Sequence, residues 1–328
     1  MKKMQELIIH GKELFKDNKF TFDESVKKIR LDIGLSKEAS NSANWLLEHD
    51  DIAVIGIEAS PICHGALTYC MGTNSYINSL YLHQDKICRF VGYVSEVYFK
   101  NQILGWPHEM IMVDNQPHKN VRLPLLKGKK VLHVSPAELW DPERVFRLYS
   151  VLEEIKDIKD KFCLIEGAVD NIKDPFMPIY QKFYSSWPNV GCSSLIKENI
   201  EANERGMTDA GADFDHTNTI KEVFNVPSFS LDAVLEHIDW NTYPFIECIK
   251  IDVEGKDLDV LKSCKKYMDK VVYFRAEAHA DTDTFVKASD MTKFMHENNF
   301  ELFDPADGDY KFINKKHKKM AKEMNLSY

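Results

Sequence analysis

The chain has 328 residues, of which 44% are hydrophobic and 28% charged, and a formal net charge of −9. That is the balance of an ordinary globular protein. An acidic chain with no basic block beside aromatics is poorly suited to nucleic acid, so no nucleic-acid partner is expected. No run approaches the ~20 apolar residues of a membrane-spanning helix, and the N-terminal MKKMQELIIHGKELF mixes in charge too early for a secretory signal. The seven cysteines are scattered, odd in number and without a CxxC pair. They read as free core thiols of a reducing cytoplasm, neither a disulfide framework nor a zinc site.

In chain order, residues 1–27 form a leader. Its residues 2–17 have the pattern of an amphipathic helix, with Leu7, Ile8, Leu14 and Phe15 turned to a core. Lys28 to Gly34 reads as a short strand ending in Asp32-Ile33-Gly34. The polar turn after it becomes a helix carrying Trp45, Leu46 and Leu47, with Ser40 or Ser42 as N-cap. The run IAVIGIEASP, ending its strand at Glu58, is apolar on both alternate faces, as in a parallel sheet covered on both sides. Strand, turn, helix and strand make a βαβ unit.

Asp32 lies 26 residues before Glu58. An acid at the end of the second strand, beside a turn that presents amides at a helix N-terminus, suits a ligand with a ribose and an anionic group. The turn lacks GxGxxG, so no glycine cradle awaits a pyrophosphate. A nucleoside with an amino-acid tail, S-adenosylmethionine, needs less room.

Residues 65–150 exceed one step of a doubly wound sheet and read as an insertion with strands of its own (ICRFVGYVSEVYF, EMIMV, KKVLHVSP). A helix with Asp141 as N-cap, Pro142 at its first position and Val145, Leu148, Leu152 and Ile155 as its stripe follows over 141–156. KFCLIEGAVDNI is the third strand, ending at Ala168, Val169 and Asp170. The aromatic stretch 175–201 reads as a loop or hairpin near the site. Residues 203–218 are polar and glycine-bearing, hence loop. KEVFNVPSFSLDAVLEHI supplies a strand and a helix capped by Ser230.

Next comes the stretch that organises the chain, FIECIKIDVEG. It is an apolar strand that delivers Asp252 and Glu254 to its C-terminal end, before a helix with Leu258, Leu261, Cys264 and Met268. Ligands of open α/β sheets bind outside those strand ends. KVVYFRAEAHA is a fifth strand ending near Glu277, His279 and Asp281. A helix over 284–298 and two strands around Ala306-Asp307-Gly308 close the fold. The basic tail KKHKKMAKEM reads as a solvated helix face.

These residues resemble the FkbM-type methyltransferases. The resemblance rests on Ser230-Leu231-Asp232, on Lys250-Ile251-Asp252-Val253-Glu254-Gly255, on Val260-Leu261 and on Glu277. DIGLSKEASNSANWL, IGIEASP, EGAVDN and GCSSLIK are similar to the family's other motifs. It covers roughly 28–60 and 161–313. It implies a single class I methyltransferase domain over 1–328. That is an α/β, doubly wound, Rossmann-like sheet of seven mostly parallel strands, closed by a C-terminal antiparallel hairpin. It also implies S-adenosylmethionine as cofactor and O-methylation of a hydroxyl on a sugar, glycan or related small metabolite. Asp32 and Gly34 match the cofactor turn, Glu58 the ribose acid, and Ala168, Val169 and Asp170 the segment by the adenine. Where the family carries a second glycine, this chain reads Leu-Ser-Lys-Glu-Ala-Ser-Asn-Ser, which makes Ser36, Asn41 and Ser42 candidates for the methionine end.

An alcohol is a weak nucleophile, so its transfer needs a base or a metal. The candidates are Asp252, Glu254 and His279, with Lys250 in the same strand to pair with Asp252; Asp252 is also a candidate for cofactor contact. Asp252, Glu254 and Glu277 could together hold one divalent cation such as magnesium. Ser193, Ser194 and Lys197 are candidates for the acceptor pocket, and a homo-oligomer is compatible with the chain. The competing readings are another nucleotide-binding α/β enzyme, disfavoured by the missing GxGxxG, and a non-catalytic partner protein with the same fold.

Overall fold

The computed structural model describes residues 7–36, 39–61, 63, 110–113, 116–118, 131–134, 161–172, 179–187, 193–200, 219–278, 286–304 and 308–323. The strands used below are β1 (Ile8–His10), β2 (Lys28–Ile33), β3 (Ile52–Glu58), β4 (Phe162–Glu166), β5 (Ala168–Val169), β6 (Ile179–Trp187), β7 (Thr219–Phe229), β8 (Ile246–Ile251), β9 (Val271–Glu277), β10 (Phe300–Asp304) and β11 (Asp309–Asn314). The helices are α1 (Ser40–Glu48), α2 (Leu231–Leu235), α3 (Asp257–Lys262), α4 (Ala288–Glu297) and α5 (Lys318–Glu323).

Among the described residues the main sheet has eight strands in the order β1-β4-β3-β2-β8-β9-β11-β10. The five in the middle, β4 to β9, run parallel, and β11 joins them antiparallel, with β10 antiparallel on it. This is the expected mostly parallel α/β sheet with one strand more than expected. The extra strand is β1, antiparallel on the edge of β4. The leader is therefore not the amphipathic helix its periodicity suggests. After β1 it makes one 3-10 turn over Lys12–Leu14 and a small hairpin of Phe15–Lys16 with Lys19–Phe20. The reason is tertiary. The backbone of Ile8 to His10 completes an open sheet edge, and Phe20 packs edge-on against His237.

Strands β3 and β8 are buried along their whole length; β3 is apolar up to Glu58, as suits a strand covered on both faces, while β8 carries Glu247 and Lys250 among its apolar residues. The charges inside this sheet are paired. Arg30 on β2 donates to Glu247 on β8 at 2.6 Å, and Trp45 of α1 covers the guanidinium at 5.1 Å. One core runs between the sheet and its helices, from Phe20 and Ile29 through Ile249 and Phe274 to Met291, Met295 and Phe300. Each such side chain contributes about 1.5–3 kcal/mol by leaving water.

Helix α1 is not capped by Ser40 or Ser42. Its N-cap position is Ala39, in the left-handed region at φ 47°, with no side-chain cap. The Asp32 carboxylate takes that part from the end of β2, accepting from the Ser42 amide at 3.0 Å and the Ser42 hydroxyl at 2.6 Å. Ser230 caps α2 as expected, accepting from the Ala233 amide.

A second sheet, β5-β7-β6, stands beside the main one. The aromatic stretch after the third strand thus forms a long antiparallel pair, β6 with β7. Of the 65–150 segment, Met110–Val113, Gln116–His118 and Val131–Val134 form a three-stranded antiparallel sheet. The strand at 87–99 and the helix expected at 141–156 lie outside the described residues. No helix among the described residues is long and apolar enough to cross a membrane. Cys63, Cys163, Cys248 and Cys264 are buried thiols that form no disulfide.

Candidate active site

From β2 the chain winds one way through β3 and β4, then returns to build β8 and β9 on the other side. Strand order therefore reverses between β2 and β8, and a crevice must open there at the carboxyl ends of the strands. A cleft of about 220 Å³ lies at that point. Gly34 and Ser36 follow β2 in its wall, and Glu58 and Ala59 close β3. Gly167, Ala168 and Val169 follow β4, and Asp252, Val253 and Glu254 follow β8. Phe183 of β6 and Ser193 and Leu195 of the 193–200 segment line it from the other side.

Gly34 holds the turn at the reversal. Its φ is +80°, and a Cβ there would lie 1.7 Å from the Asp252 carbonyl oxygen. The Gly34 amide donates to the Ile57 carbonyl at 2.9 Å, and the Asp252 amide to the Ile33 carbonyl at 3.0 Å. The bonding that joins the strands thus continues one residue past their ends.

Glu58 is buried, with both oxygens oriented by backbone. The Ser36 amide donates to Oε2 at 2.8 Å and the Ser60 amide to Oε1 at 2.7 Å. Burial outweighs these bonds and pushes its pKa up to about 7.

Lys250 is buried between two carboxylates. Its ammonium donates to the Gly34 carbonyl at 2.8 Å and stands 3.4 Å from Asp32 and 3.4 Å from Asp252. Burial alone would favour its neutral form; the two carboxylates overcome that and hold its pKa above the usual lysine value. Lys250 is therefore a fixed positive charge. Asp32 Oδ1 has this ammonium as its neighbour but no well-aligned hydrogen bond.

The Asp252 side chain is 43% exposed. Asp252, Glu254 and Glu277 bring one carboxylate oxygen each within 4.8 Å of one another. Behind them Asp257 is buried, accepting from the Gly255 and Glu277 amides at 3.3 Å each. Burial first, then mutual repulsion, pushes Glu254 up to about 9, Asp257 to about 8 and Glu277 to about 7. At neutral pH this group holds protons that isolated carboxyls would release.

Of the expected cofactor contacts, Gly34, Ser36, Glu58, Ala168, Val169 and Asp252 line the cleft. Asp32, Asn41, Ser42 and Asp170 are absent from its lining. Ser42 is committed to Asp32. Asn41 accepts from Arg275 at 3.2 Å. Asp170 is taken by Gln181 at 2.9 Å and by Lys256 at 3.5 Å. Ser193 lines the cleft, Ser194 is buried behind it, and Lys197 is exposed. His279 lies outside the described residues. Sequence reasoning missed Asp257, Lys256 and Asn199. Asp257 had a faint signal, an acid in the first turn of a helix two residues after the Glu-Gly turn. Asn199 had none.

A doubly wound sheet with a carboxylate-lined cleft at its order reversal is the arrangement in which open α/β folds hold their ligands. The family pattern described as Methyltransferase FkbM domain matches residues 39–302, and the chain belongs to that family. The match begins just after the Gly34 turn and runs through the 65–150 segment. Comparison with curated proteins and with solved structures returns no match. Membership brings methyltransferase chemistry, for which S-adenosylmethionine is the general methyl donor.

Proposed function

We propose that this chain is a cytoplasmic, S-adenosylmethionine-dependent O-methyltransferase acting on a hydroxyl of a sugar, glycan or related small metabolite. The observation that carries the reading is that Glu58 and Asp252 face one cleft at the reversal of strand order.

The residues present suit that cofactor. Each Glu58 oxygen spends one lone pair on a backbone amide and keeps another for a ribose hydroxyl. Ile57, Val169 and Phe183 offer an apolar wall for a flat base. Bound there, the cofactor would supply a methyl group already activated on a sulfonium.

The chain's own task is to align the acceptor hydroxyl and receive its proton. Asp252 is the group placed to accept it. Glu254, with its pKa near 9, keeps its own proton at neutral pH and serves as a hydrogen-bond donor to the acceptor. Lys250 positions Asp252 and offsets its charge. His279 remains the other candidate base on sequence grounds. A divalent cation at Asp252, Glu254 and Glu277 is a separate reading that rests on their 4.8 Å grouping alone.

The test is calorimetric titration with S-adenosylmethionine and S-adenosylhomocysteine, with and without magnesium, followed by a panel of sugars and nucleotide sugars scored for S-adenosylhomocysteine release. Micromolar binding of both cofactor forms is expected. Absence of binding under every condition would overturn the reading. A magnesium heat lost in Glu277→Gln would support the cation.

A further inference from the structure

The Glu254-Gly255 turn is held from outside its own strand and helix. Glu254 sits in the left-handed region at φ 55° without being glycine, and Gly255 follows at φ 102°. Such a pair persists only where its surroundings over-determine it. The surroundings here are two side chains of the 193–200 segment. The Ser194 hydroxyl donates to the Glu254 carbonyl at 2.8 Å, and the Asn199 amide donates to the same oxygen at 2.7 Å.

Both donors are themselves fixed. Ser194 is paired through its backbone with Tyr184 on β6, at 2.9 and 3.1 Å, and its oxygen accepts from the Ile196 amide. Asn199 is buried, and its own Oδ1 has no hydrogen-bond partner among the described residues. Leaving a buried acceptor unsatisfied is costly. The amide accepts that penalty and keeps its donor on Glu254; turned over, it would set oxygen against oxygen. The same amide fills the space in front of Gly255, where a Cβ would lie 1.8 Å from Asn199 Nδ2. Beyond the turn, Glu254 lines the cleft beside Asp252, and its carboxyl groups with those of Asp252 and Glu277.

We propose that Ser194 and Asn199 are positioning residues, a clamp from the 193–200 segment beside the second sheet that commits the Glu254 carboxyl to the cleft. Its relevance to turnover rests on the methyltransferase reading. The clamp makes the second sheet part of the site: Ser193 and Leu195, beside Ser194, line the wall facing Asp252. A change on β6 therefore reaches Glu254 without touching β8.

The test uses the full chain and carbodiimide labelling of carboxyls read by mass spectrometry. Ser194→Thr keeps a hydroxyl and Ser194→Val has the same shape without one; Asn199→Ala removes the second donor. Ser194→Val and Asn199→Ala are expected to raise labelling at Glu254 about fivefold or more. Glu247, buried at the far side of the sheet, stays protected, and Ser194→Thr behaves as the unaltered chain. Equal labelling of Glu254 in the Thr and Val variants, or a parallel rise at Glu247, would overturn the clamp by showing no role or a merely structural one. Titration of the unaltered chain with S-adenosylmethionine runs alongside. Failure there removes the methyltransferase reading and leaves the labelling result to stand on its own.

Discussion

Gly34 and Asp252 meet backbone to backbone, so closely that a Cβ on Gly34 would sit 1.7 Å from the Asp252 carbonyl oxygen. One residue belongs to the turn on the cofactor side of the cleft, the other to the acids on the acceptor side. The two halves of the doubly wound sheet are joined at this contact.

Gly34→Ala combines that overlap with a left-handed φ. A loss of about 2 kcal/mol or more is expected, read from the midpoint of urea unfolding. The surviving fold should bind S-adenosylmethionine more weakly. Unchanged stability would mean that the turn relaxes away from Asp252.

Glu58 must be ionised to accept from both ribose hydroxyls, and its pKa is about 7. Affinity for S-adenosylmethionine should therefore rise with pH up to about 7 and level off above. A group one unit below its pKa is ionised about tenfold less, which sets the size of the effect between pH 6 and the plateau. Calorimetry at pH 6, 7 and 8 measures it, and Glu58→Gln should bind weakly with no such slope.

Glu254, Asp257 and Glu277 have folded pKa values of about 9, 8 and 7, all raised above their unfolded values. Between those limits the folded chain binds more protons than the unfolded one. Stability from this cluster is therefore greatest at mildly acidic pH and falls as pH rises from about 4.5 towards 9. Glu254→Gln removes one raised group and should stabilise the protein at pH 9 by about 1–3 kcal/mol, with little change at pH 5. Thermal melts across that range check the sign.

Lys250 neutralises Asp32, which is only 1% exposed, as well as the more open Asp252. Lys250→Met leaves a buried carboxylate without its cation, and breaking such a pair costs about 3–5 kcal/mol. Urea unfolding of the variant reads that loss directly. A loss under about 1 kcal/mol would show that water enters and solvates Asp32.

Much of this architecture is legible from local pattern. The runs ending at Glu58 and Glu166 are strands because unbroken apolar sequence suits a sheet covered on both faces; those ending at Asp32 and Asp252 hold apolar residues around the charges of Arg30, Glu247 and Lys250. Gly34, Glu58 and Asp252 stand at strand ends in the sequence and at the cleft in the structure. The leader misled because three residues of edge strand carry no periodicity of their own; a free sheet edge recruits them by hydrogen bonding.

By itself, then, the sequence determined the parallel core and the acids at its strand ends, since burial pattern and strand termini are local properties. Tertiary structure alone decided which polar groups reach the cleft and in what state. Asn41 and Ser42 turned to Arg275 and Asp32 because partners distant in sequence satisfied them first. Glu254 acquired its raised pKa from burial and then from Asp252, Glu277 and Asp257, and its clamp from Ser194 and Asn199. Desolvation and charge repulsion depend on what surrounds a carboxyl in space, and no spacing along the chain encodes that directly.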